Sequence, residues 1–326
     1  MKCTLLIKNI LDLCFHHSRP VERREKKDNR AFVSTVMNEI ERRRGIVSSS
    51  TIENELTAYR SFLSFVGMDL KLCDLSADRM KAYERWLAEK GICRNTSACY
   101  MRSLRSVFNR LGLDGRGLFK DIRMNKDQTE KRALQQEEVK HIMEADIRED
   151  TFISRVRDLF IFSIMAMGIP FIDLVHLRKK DIKDGYLVYH RRKTGRQAKV
   201  YLEPCLQTII DKYRCDDSDY LFPLASHTKA GEKKFNYKSL LTKYNRSLVR
   251  LSNLAGLKRK VTSYTARHTW ATTAYRKGCS LAAISKALTH ATPITTQNYL
   301  KELDDSEIIN VNRLVLGEFY TKIDIF

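Results

Sequence analysis

A charged stretch with few apolar residues, residues 120–133, interrupts an otherwise regular pattern of apolar positions. A chain of 326 residues is long for one hydrophobic core, so this break indicates two domains joined by a linker. The apolar pattern predicts a helical domain over residues 31–119 and a larger domain over residues 134–303. Residues 1–30 remain as a charged N-terminal arm or linker, and residues 304–326 as a C-terminal tail with one apolar helical face.

Four amphipathic helices with short connections are predicted for the first domain, because apolar side chains recur there at helical spacing. The second of these helices is expected to have Thr51 as its N-cap and to end at Gly67. Ser76 is the expected cap of the third helix, and the fourth is expected to start at Asn95 or Thr96.

The second domain is predicted to be mainly helical with a small antiparallel sheet. Residues 152–167 are apolar on almost every side, which predicts a helix buried at the centre of this domain. Two turn pairs, Asp184-Gly185 and Thr194-Gly195, separate segments of β-prone residues. Further helices are expected over residues 204–213, 238–255, 264–277 and 281–288, followed by a short helix that carries Tyr299. The fold class is therefore mainly α, with an α+β second domain.

The formal charge of +20 and the pI of about 9.6 favour a polyanionic partner, most simply nucleic acid. A merely basic protein, or one associated with ribosomes, is the alternative. The eight cysteines form no C-x-x-C pair and no zinc-finger spacing, so reduced thiols in a cytoplasm are expected. No stretch approaches the roughly 20 apolar residues that a membrane-spanning helix needs.

The candidate site lies near the C-terminus, in residues 263–300. Arg267 and His268 stand side by side in a predicted helix, His290 follows a second helical segment, and Tyr299 comes nine residues after His290. Cationic donors can hold an oxyanion while a phenol oxygen attacks it. The pattern therefore predicts a phosphoryl-transfer site with a tyrosine nucleophile.

On these residues the second domain resembles the catalytic domain of the tyrosine recombinases, or phage integrase family. Residues 31–119 resemble the SAM-like core-binding domain of that family, which grips DNA. The segment YTARHTWA, residues 264–271, is similar to that of the Bacteroides-type branch of the family. The resemblance implies site-specific recombination through a 3′-phosphotyrosyl intermediate, with integration, excision or inversion as outcomes. The short N-terminal region favours a simple recombinase such as an invertase.

The resemblance also implies partners and a location. The partner is double-stranded DNA, bound by a homotetramer on two sites, with accessory DNA-bending proteins and without a membrane. The expected location is the bacterial cytoplasm, on the nucleoid. No metal, ATP or other cofactor is expected, because the covalent intermediate conserves the energy of the broken bond.

The roles of the site residues follow from the same resemblance. Tyr299 is the expected nucleophile, and Arg267 is the expected fork donor to two phosphate oxygens. His290 is expected to hydrogen-bond the phosphate, and His268 to pack and orient its helix. Lys193, at the hairpin turn, is the expected general acid for the leaving 5′-oxygen, unless the hairpin only grips phosphate.

Two departures from the family pattern concern this chemistry. Pro170 stands where the first catalytic arginine is usual, while Asp173 keeps the acid that supports the site. Arg157 is the expected replacement cation, with Arg155 as runner-up and a salt bridge to a nearby acid as the alternative. Tyr264 replaces the usual histidine, and it can donate a hydrogen bond but is a poor base at neutral pH. A smaller departure is Thr289, which replaces the glycine that usually precedes His290.

Further arginines are candidate DNA contacts, although each alone is equally explained as ordinary surface charge. They are Arg94, Arg102 and Arg105 on the fourth helix and Arg191, Arg192 and Arg196 around the hairpin. Two rival functions remain open at this point. One is a type IB topoisomerase-like enzyme, and the other is a catalytically impaired DNA-binding protein of the same fold. The sequence also leaves open whether the tail docks on its own subunit or on a neighbour.

Overall fold

The computed structural model describes residues 31–113, 117–125, 127, 133–149, 151–224, 236–290 and 296. The chain forms two compact units, residues 1–129 and 130–326, and the boundary falls inside the charged stretch 120–133. The mainly helical fold expected from the sequence is confirmed. No helix in the described ranges is long and apolar enough to cross a membrane.

The first unit contains four α-helices within its described residues: α1 (Phe32–Arg42), α2 (Ser49–Val66), α3 (Ala77–Glu89) and α4 (Arg94–Arg110). Their apolar faces meet in one core, where Phe32, Phe62 and Phe108 are fully buried and in edge-on ring contact. Burial of such rings is the main stabilising contribution to a small helical domain.

The helix ends of the first unit agree only partly with the sequence predictions. Ser76 caps α3 by accepting a hydrogen bond from the Arg79 N–H, as expected. The predicted cap of α2 was wrong, because Ser48 accepts from the Thr51 N–H and the helix starts at Ser49. The run of adjacent serines offered several equivalent caps, and the pattern alone did not choose among them.

The second unit contains seven α-helices and three strands within its described residues. The helices are α5 (Gln136–Met143), α6 (Phe152–Met165), α7 (Phe171–Leu174), α8 (Pro204–Lys212), α9 (Tyr237–Leu254), α10 (Thr265–Arg276) and α11 (Leu281–Ala287). The strands are β1 (Ile182–Lys183), β2 (Tyr186–His190) and β3 (Gln197–Tyr201). The predicted short helix with Tyr299 and the tail over residues 304–326 lie outside the described residues.

Helix α6 lies at the centre of the second unit, as its apolar surface predicts. Phe160 and Phe162 are fully buried, and the helix packs against α9 and α10. It ends at Met165, two residues before the predicted end, because the chain then turns through positive φ angles at Met167 and Gly168. This turn carries the backbone to Pro170 and the start of α7.

The predicted antiparallel sheet is confirmed, with strand order β1-β2-β3 among the described residues. Asp184 and Gly185 form the first turn with φ values of 50° and 75°, as a two-residue hairpin turn requires. The second hairpin links His190 to Gln197, and Lys193 lies in its turn. Hydrogen bonds from Arg191 and Arg196 hold this hairpin turn beside the loop after α11.

Candidate active site

Arg267 is a buried cation on α10, with only 3% of its surface exposed. Its Nη1 donates to the Gly168 carbonyl at 2.9 Å, and its Nη2 donates to the Leu288 carbonyl. Nη2 also lies 3.1 Å from His290 Nε2. The guanidinium thus joins α10 to the turn after α6 and to the loop after α11, and it is held rigidly before any substrate binds.

Arg267 can occupy this position only because Gly168, which lies against its backbone, has no side chain. Gly168 has φ +67°, and a Cβ built there would lie 2.8 Å from Arg267 Cα. The turn is held by hydrogen bonds from Gly168 N–H to the Ser163 carbonyl and from Ser163 Oγ to the Ile169 carbonyl. Glycine is required here by both the backbone conformation and the space.

His290 is neutral over the physiological range. Burial, together with the positive charges of Arg267 and Arg191, lowers its pKa from 6.5 to about 4. A guanidinium can only donate, so Nε2 accepts from Arg267 and the ring proton lies on Nδ1. Nδ1 is 2.9 Å from Thr296 Oγ1, which is the acceptor of that proton.

Arg191 is a second buried arginine at this place, at the start of the β2–β3 hairpin. Its Nε donates to Asp173 Oδ2 at 2.6 Å. Its Nη1 donates to the Leu288 carbonyl at 2.8 Å and to Thr289 Oγ1 at 2.7 Å. Arg191 and Arg267 therefore meet at one carbonyl oxygen.

Asp173 binds the hairpin through both of its carboxylate oxygens. It is 2% exposed on α7, and its second oxygen, Oδ1, accepts from the Arg192 N–H at 2.8 Å. The Arg192 side chain itself is exposed, and so is Lys193 beside it in the turn. Arg196 Nη1 donates to the His290 carbonyl at 2.7 Å, which ties the other side of the hairpin to the same loop.

The structure places Arg157 away from this group, in an ion-pair network between α6 and α8. Its Nη2 lies 2.6 Å from Glu149 and its Nε 3.0 Å from Asp158. Lys212 bridges the same two carboxylates. The sequence analysis gave a salt bridge to a nearby acid as the alternative to a catalytic role for Arg157. The structure has such a salt bridge, in which two acids balance the charge of Arg157. The runner-up, Arg155, lies over the ring of Tyr213 at 5.7 Å.

Tyr264 and His268 pack together at the start of α10. Their ring centroids are 5.1 Å apart at an interplanar angle of 77°. Tyr264 is 43% exposed, whereas Arg267, three residues later, is buried. The role expected of His268, to pack and orient its helix, stays a prediction.

Tyr299 lies outside the described residues. Thr296, three residues before it in the chain, is fully buried and bound to His290. Tyr189 is a buried tyrosine whose electrostatic surroundings include Arg191 and Arg267. Burial and the charge of Asp173 raise the pKa of Tyr189 well above its usual range, which makes it unsuited to act as a nucleophile.

On the first unit, Arg94 and Arg102 contact the segment that follows the helical domain. Arg94 pairs with Asp127 at 3.4 Å, and Arg102 donates to the Met124 carbonyl. Both hold the segment after the helical domain against α4. Arg105 is exposed on the same helix.

A basic face on α9 was missed by the sequence reasoning. Lys238, Thr242, Arg246 and Arg250 recur every four residues and line an open groove of about 670 Å³. Lys243 also lines it and lies 4.0 Å over the ring of Phe152. The signal was present in the sequence, because a four-residue spacing of polar and basic side chains marks one helix face.

Comparison with known proteins matches both units to domains of one protein family. The sequence pattern of the Phage integrase family matches residues 132–305, more than half of the chain. That of the Phage integrase SAM-like domain matches residues 31–110.

Individual relatives agree with these matches. Tyrosine recombinase XerA of Pyrococcus furiosus is 30% identical over 179 residues, covering 52% of this chain and 57% of that protein. This chain therefore spans little more than half the length of that relative. A tyrosine recombinase of Pseudothermotoga lettingae is 22% identical over 287 residues, covering 82% of this chain and 93% of its own.

Solved structures share the fold. A lambda integrase dimer bound to a COC′ core site superposes with a TM-score of 0.66 at 18% identity, covering 93% of this chain and 87% of that chain. The Tn1549 transposon integrase in complex with transposon right-end DNA gives 0.67 at 15% identity, covering 89% and 99%.

Proposed function

Because the chain belongs to the phage integrase family, we propose that it is a site-specific tyrosine recombinase, a DNA strand-exchange enzyme. In this function it cuts and rejoins double-stranded DNA through a 3′-phosphotyrosyl intermediate. The observation that carries the proposal is the contact of the buried Arg267 with the partly buried His290 and with the Leu288 carbonyl, within the matched residues. The Bacteroides-type branch remains a prediction.

Arg267 supplies the fixed cation that the reaction needs. The attack of a phenol oxygen on a phosphodiester produces a pentacoordinate transition state with extra negative charge on its oxygens. A guanidinium that is already oriented stabilises this charge without reorganisation. The hydrogen bonds of Arg267 to two backbone carbonyls provide this orientation.

His290 responds to the bound phosphate. An anion beside Arg267 offsets the positive charge that lowers the pKa of His290, so DNA binding raises this pKa. In the free protein the neutral ring helps to hold Arg267 in place. In the complex the ring becomes a better proton donor to a phosphate oxygen.

Tyr299 and Lys193 complete the reaction in this proposal. The Tyr299 phenol gives up its proton to water as its oxygen attacks phosphorus, the bond to the 5′-oxygen breaks, and Lys193 donates a proton to the leaving oxygen. Lys193 suits this role because it is exposed on a hairpin whose base is fixed by Asp173. Tyr264, which is partly exposed at the start of α10, donates to a phosphate oxygen in this scheme.

DNA is held by basic surfaces of both units. On the second unit these are the α9 face and the hairpin arginines Arg192 and Arg196. On the first unit Arg105 and the exposed parts of Arg94 and Arg102 are the candidates. Lambda integrase has been solved as a tetramer bound to a Holliday junction. We expect the same assembly here. It would act on bacterial DNA in the cytoplasm, together with accessory DNA-bending proteins. The C-terminal tail would dock on its own subunit or on a neighbouring one.

A nicked suicide substrate tests the proposed function. The DNA that flanks the gene is first footprinted with the protein, and a duplex with the protected site is nicked just downstream of the cleavage position. The wild type is expected to accumulate a covalent adduct that Tyr299→Phe abolishes. Binding without an adduct would support the DNA-binding alternative. Relaxation of plasmid DNA without strand exchange would support the topoisomerase-like alternative.

A further inference from the structure

We propose that Arg191 is the second catalytic arginine of this site and donates to a non-bridging oxygen of the scissile phosphate. Arg191 thereby supplies the cation that is missing because Pro170 stands where the first catalytic arginine is usual. The inference rests on the proposed function, since it assigns a residue to the same reaction. Arg191 makes and breaks no covalent bond in that step. It stabilises the charge that grows on phosphate oxygens as the Tyr299 oxygen attacks and the bond to the 5′-oxygen breaks.

The first argument is the way in which Arg191 reaches the site. Pro170 begins α7 without a cation, but Asp173 in the first turn of that helix binds Arg191 Nε. The same carboxylate accepts the Arg192 N–H, so it fixes both the hairpin backbone and the guanidinium. The helix that lacks its own arginine therefore positions one from the hairpin.

The second argument is the meeting of donors at the Leu288 carbonyl. This oxygen accepts from Arg191 Nη1, from Arg267 Nη2 and from the Thr289 hydroxyl. A carbonyl oxygen has two lone pairs, so three donors exceed what it can accept well. A phosphate oxygen is a stronger acceptor, and it would take over part of this donor set when DNA binds.

The third argument concerns the free donor atom of Arg191. Its Nε and Nη1 have acceptors on Asp173, Leu288 and Thr289. Within the described ranges the structure records no acceptor for Nη2. A buried guanidinium nitrogen without a protein acceptor is unfavourable unless a ligand satisfies it. Arg191 and Arg267 place two positive charges side by side. An anion between two guanidinium groups stabilises both, so the ligand that fits here is an anion.

The fourth argument links two departures from the family pattern. Thr289, in place of the usual glycine, has φ 52°, in the left-handed region that β-branched residues rarely adopt. The threonine hydroxyl accepts from Arg191 Nη1 at 2.7 Å, a contact that glycine could not make. A strained residue that is retained at a site indicates a function for its side chain. Both departures, at 170 and at 289, thus concern the same arginine.

Substitution of Arg191 in combination with a neutral phosphate tests the inference. Rates of single-turnover adduct formation are measured on the suicide substrate and on the same duplex with a methylphosphonate at the scissile position. Arg191→Ala is expected to lower the rate on the phosphate about 10²–10³-fold, the scale for one lost oxyanion donor. On the methylphosphonate, which lacks the charge, the deficit should shrink to less than tenfold. A deficit of equal size on both substrates would mean that Arg191 only holds the hairpin.

Arg157→Ala is the matched control, since it also removes a largely buried, ion-paired arginine of the same unit. Its rate is expected to fall by similar small factors on both substrates, whatever it does to stability. Selective rescue of Arg157→Ala by the methylphosphonate, without rescue of Arg191→Ala, would return the role to Arg157 and overturn the inference.

Thr289→Gly keeps the test decisive even if Arg191→Ala does not fold. The change relieves the strained φ and removes the two hydrogen bonds of the threonine hydroxyl, one from Arg191 and one to the Leu288 carbonyl, so the thermal midpoint should change little. The cleavage rate should nevertheless fall on the phosphate and recover on the methylphosphonate. Equal rates of Thr289→Gly and wild type would contradict the positioning of Arg191 by Thr289. If the wild type itself forms no adduct, the proposed function fails; if the wild type and Arg191→Ala cleave equally, only the present inference fails.

Discussion

Gly168 shows at the scale of one residue how the backbone shapes the site. Its left-handed φ and its contact with Arg267 Cα allow α10 to lie against the turn after α6. The same residue presents its carbonyl to Arg267 Nη1. A side chain at this position would therefore displace Arg267, the cation that binds the phosphate in the proposed reaction.

Gly168→Ala is accordingly expected to lower both stability and cleavage. An alanine in the left-handed region costs about 1–2 kcal/mol, and the 2.8 Å contact adds to that cost. Gly278→Ala is the matched control, because Gly278 has φ +79° and no neighbouring atom lies within 4 Å of the place that a Cβ would take. Thermal unfolding and adduct formation should be affected more by the change at 168. Equal effects of the two variants would show that only the backbone conformation matters.

His290 makes stability depend on pH. Its folded-state pKa of about 4 lies below the 6.5 of an exposed histidine, so the unfolded chain binds a proton first as pH falls. The free energy of unfolding should therefore fall between about pH 6.5 and pH 4. His290→Gln removes this contribution, and its thermal midpoint should change less than that of the wild type between pH 7 and pH 5. Because burial also lowers the pKa of His176, part of the slope should remain. An unchanged slope in His290→Gln would contradict the assignment.

Single residues were predictable where the signal was local. The Arg267-His268 pair and His290 were found from short motifs. The contact of Arg191 with Asp173 spans 18 residues, and its contact with Leu288 spans 97. No periodicity in the sequence encodes such contacts, so Arg191 was taken as one more DNA-binding arginine.

At the scale of elements, α9 carries a basic face on the second unit. Arg246 and Arg250 lie one helical turn apart and line the same groove. A helix face of this kind fits the phosphates and base edges of a DNA groove. It is therefore expected to supply a large part of the affinity of this unit for DNA.

The double variant Arg246→Ala/Arg250→Ala tests this expectation. Each lost phosphate contact should reduce the slope of log Kobs against log[salt] by about 0.9. The control removes two exposed cations that already have acidic neighbours, in Lys140→Ala/Arg214→Ala. Titrations at several salt concentrations should show a lower slope for the α9 variant alone. A similar reduction in both variants would mean that general charge, and not this face, binds DNA.

The sequence predicted the positions of the helices and hairpins better than it predicted the side-chain contacts between them. Apolar periodicity located the helices of both units, and turn residues located the hairpins. The all-round apolar surface of α6 placed it at the centre, but it did not show which way Arg157 points. Asp158, next to Arg157 in the chain, was a local signal for an ion pair, whereas the Glu149–Lys212 pair joins residues far apart in the chain and had no such signal.

At the scale of the whole molecule, the chain combines a four-helix unit with a unit that contains the cation cluster. The charge of +20 and the family matches to both units explain why the sequence predicted a DNA enzyme. The central claim is that a DNA phosphate at the Arg267 and Arg191 cluster is attacked by Tyr299.

Mass spectrometry of the covalent adduct tests that claim most directly. Trypsin cleavage after Lys286 and Lys301 releases residues 287–301, which contain Tyr299 as their only tyrosine. After nuclease digestion of an adduct formed on the suicide substrate, this peptide is expected to carry a nucleotide through a 3′-phosphate on Tyr299. The released strand is expected to have a free 5′-hydroxyl. A nucleotide on another peptide, or a 5′-phosphate linkage, would contradict the account.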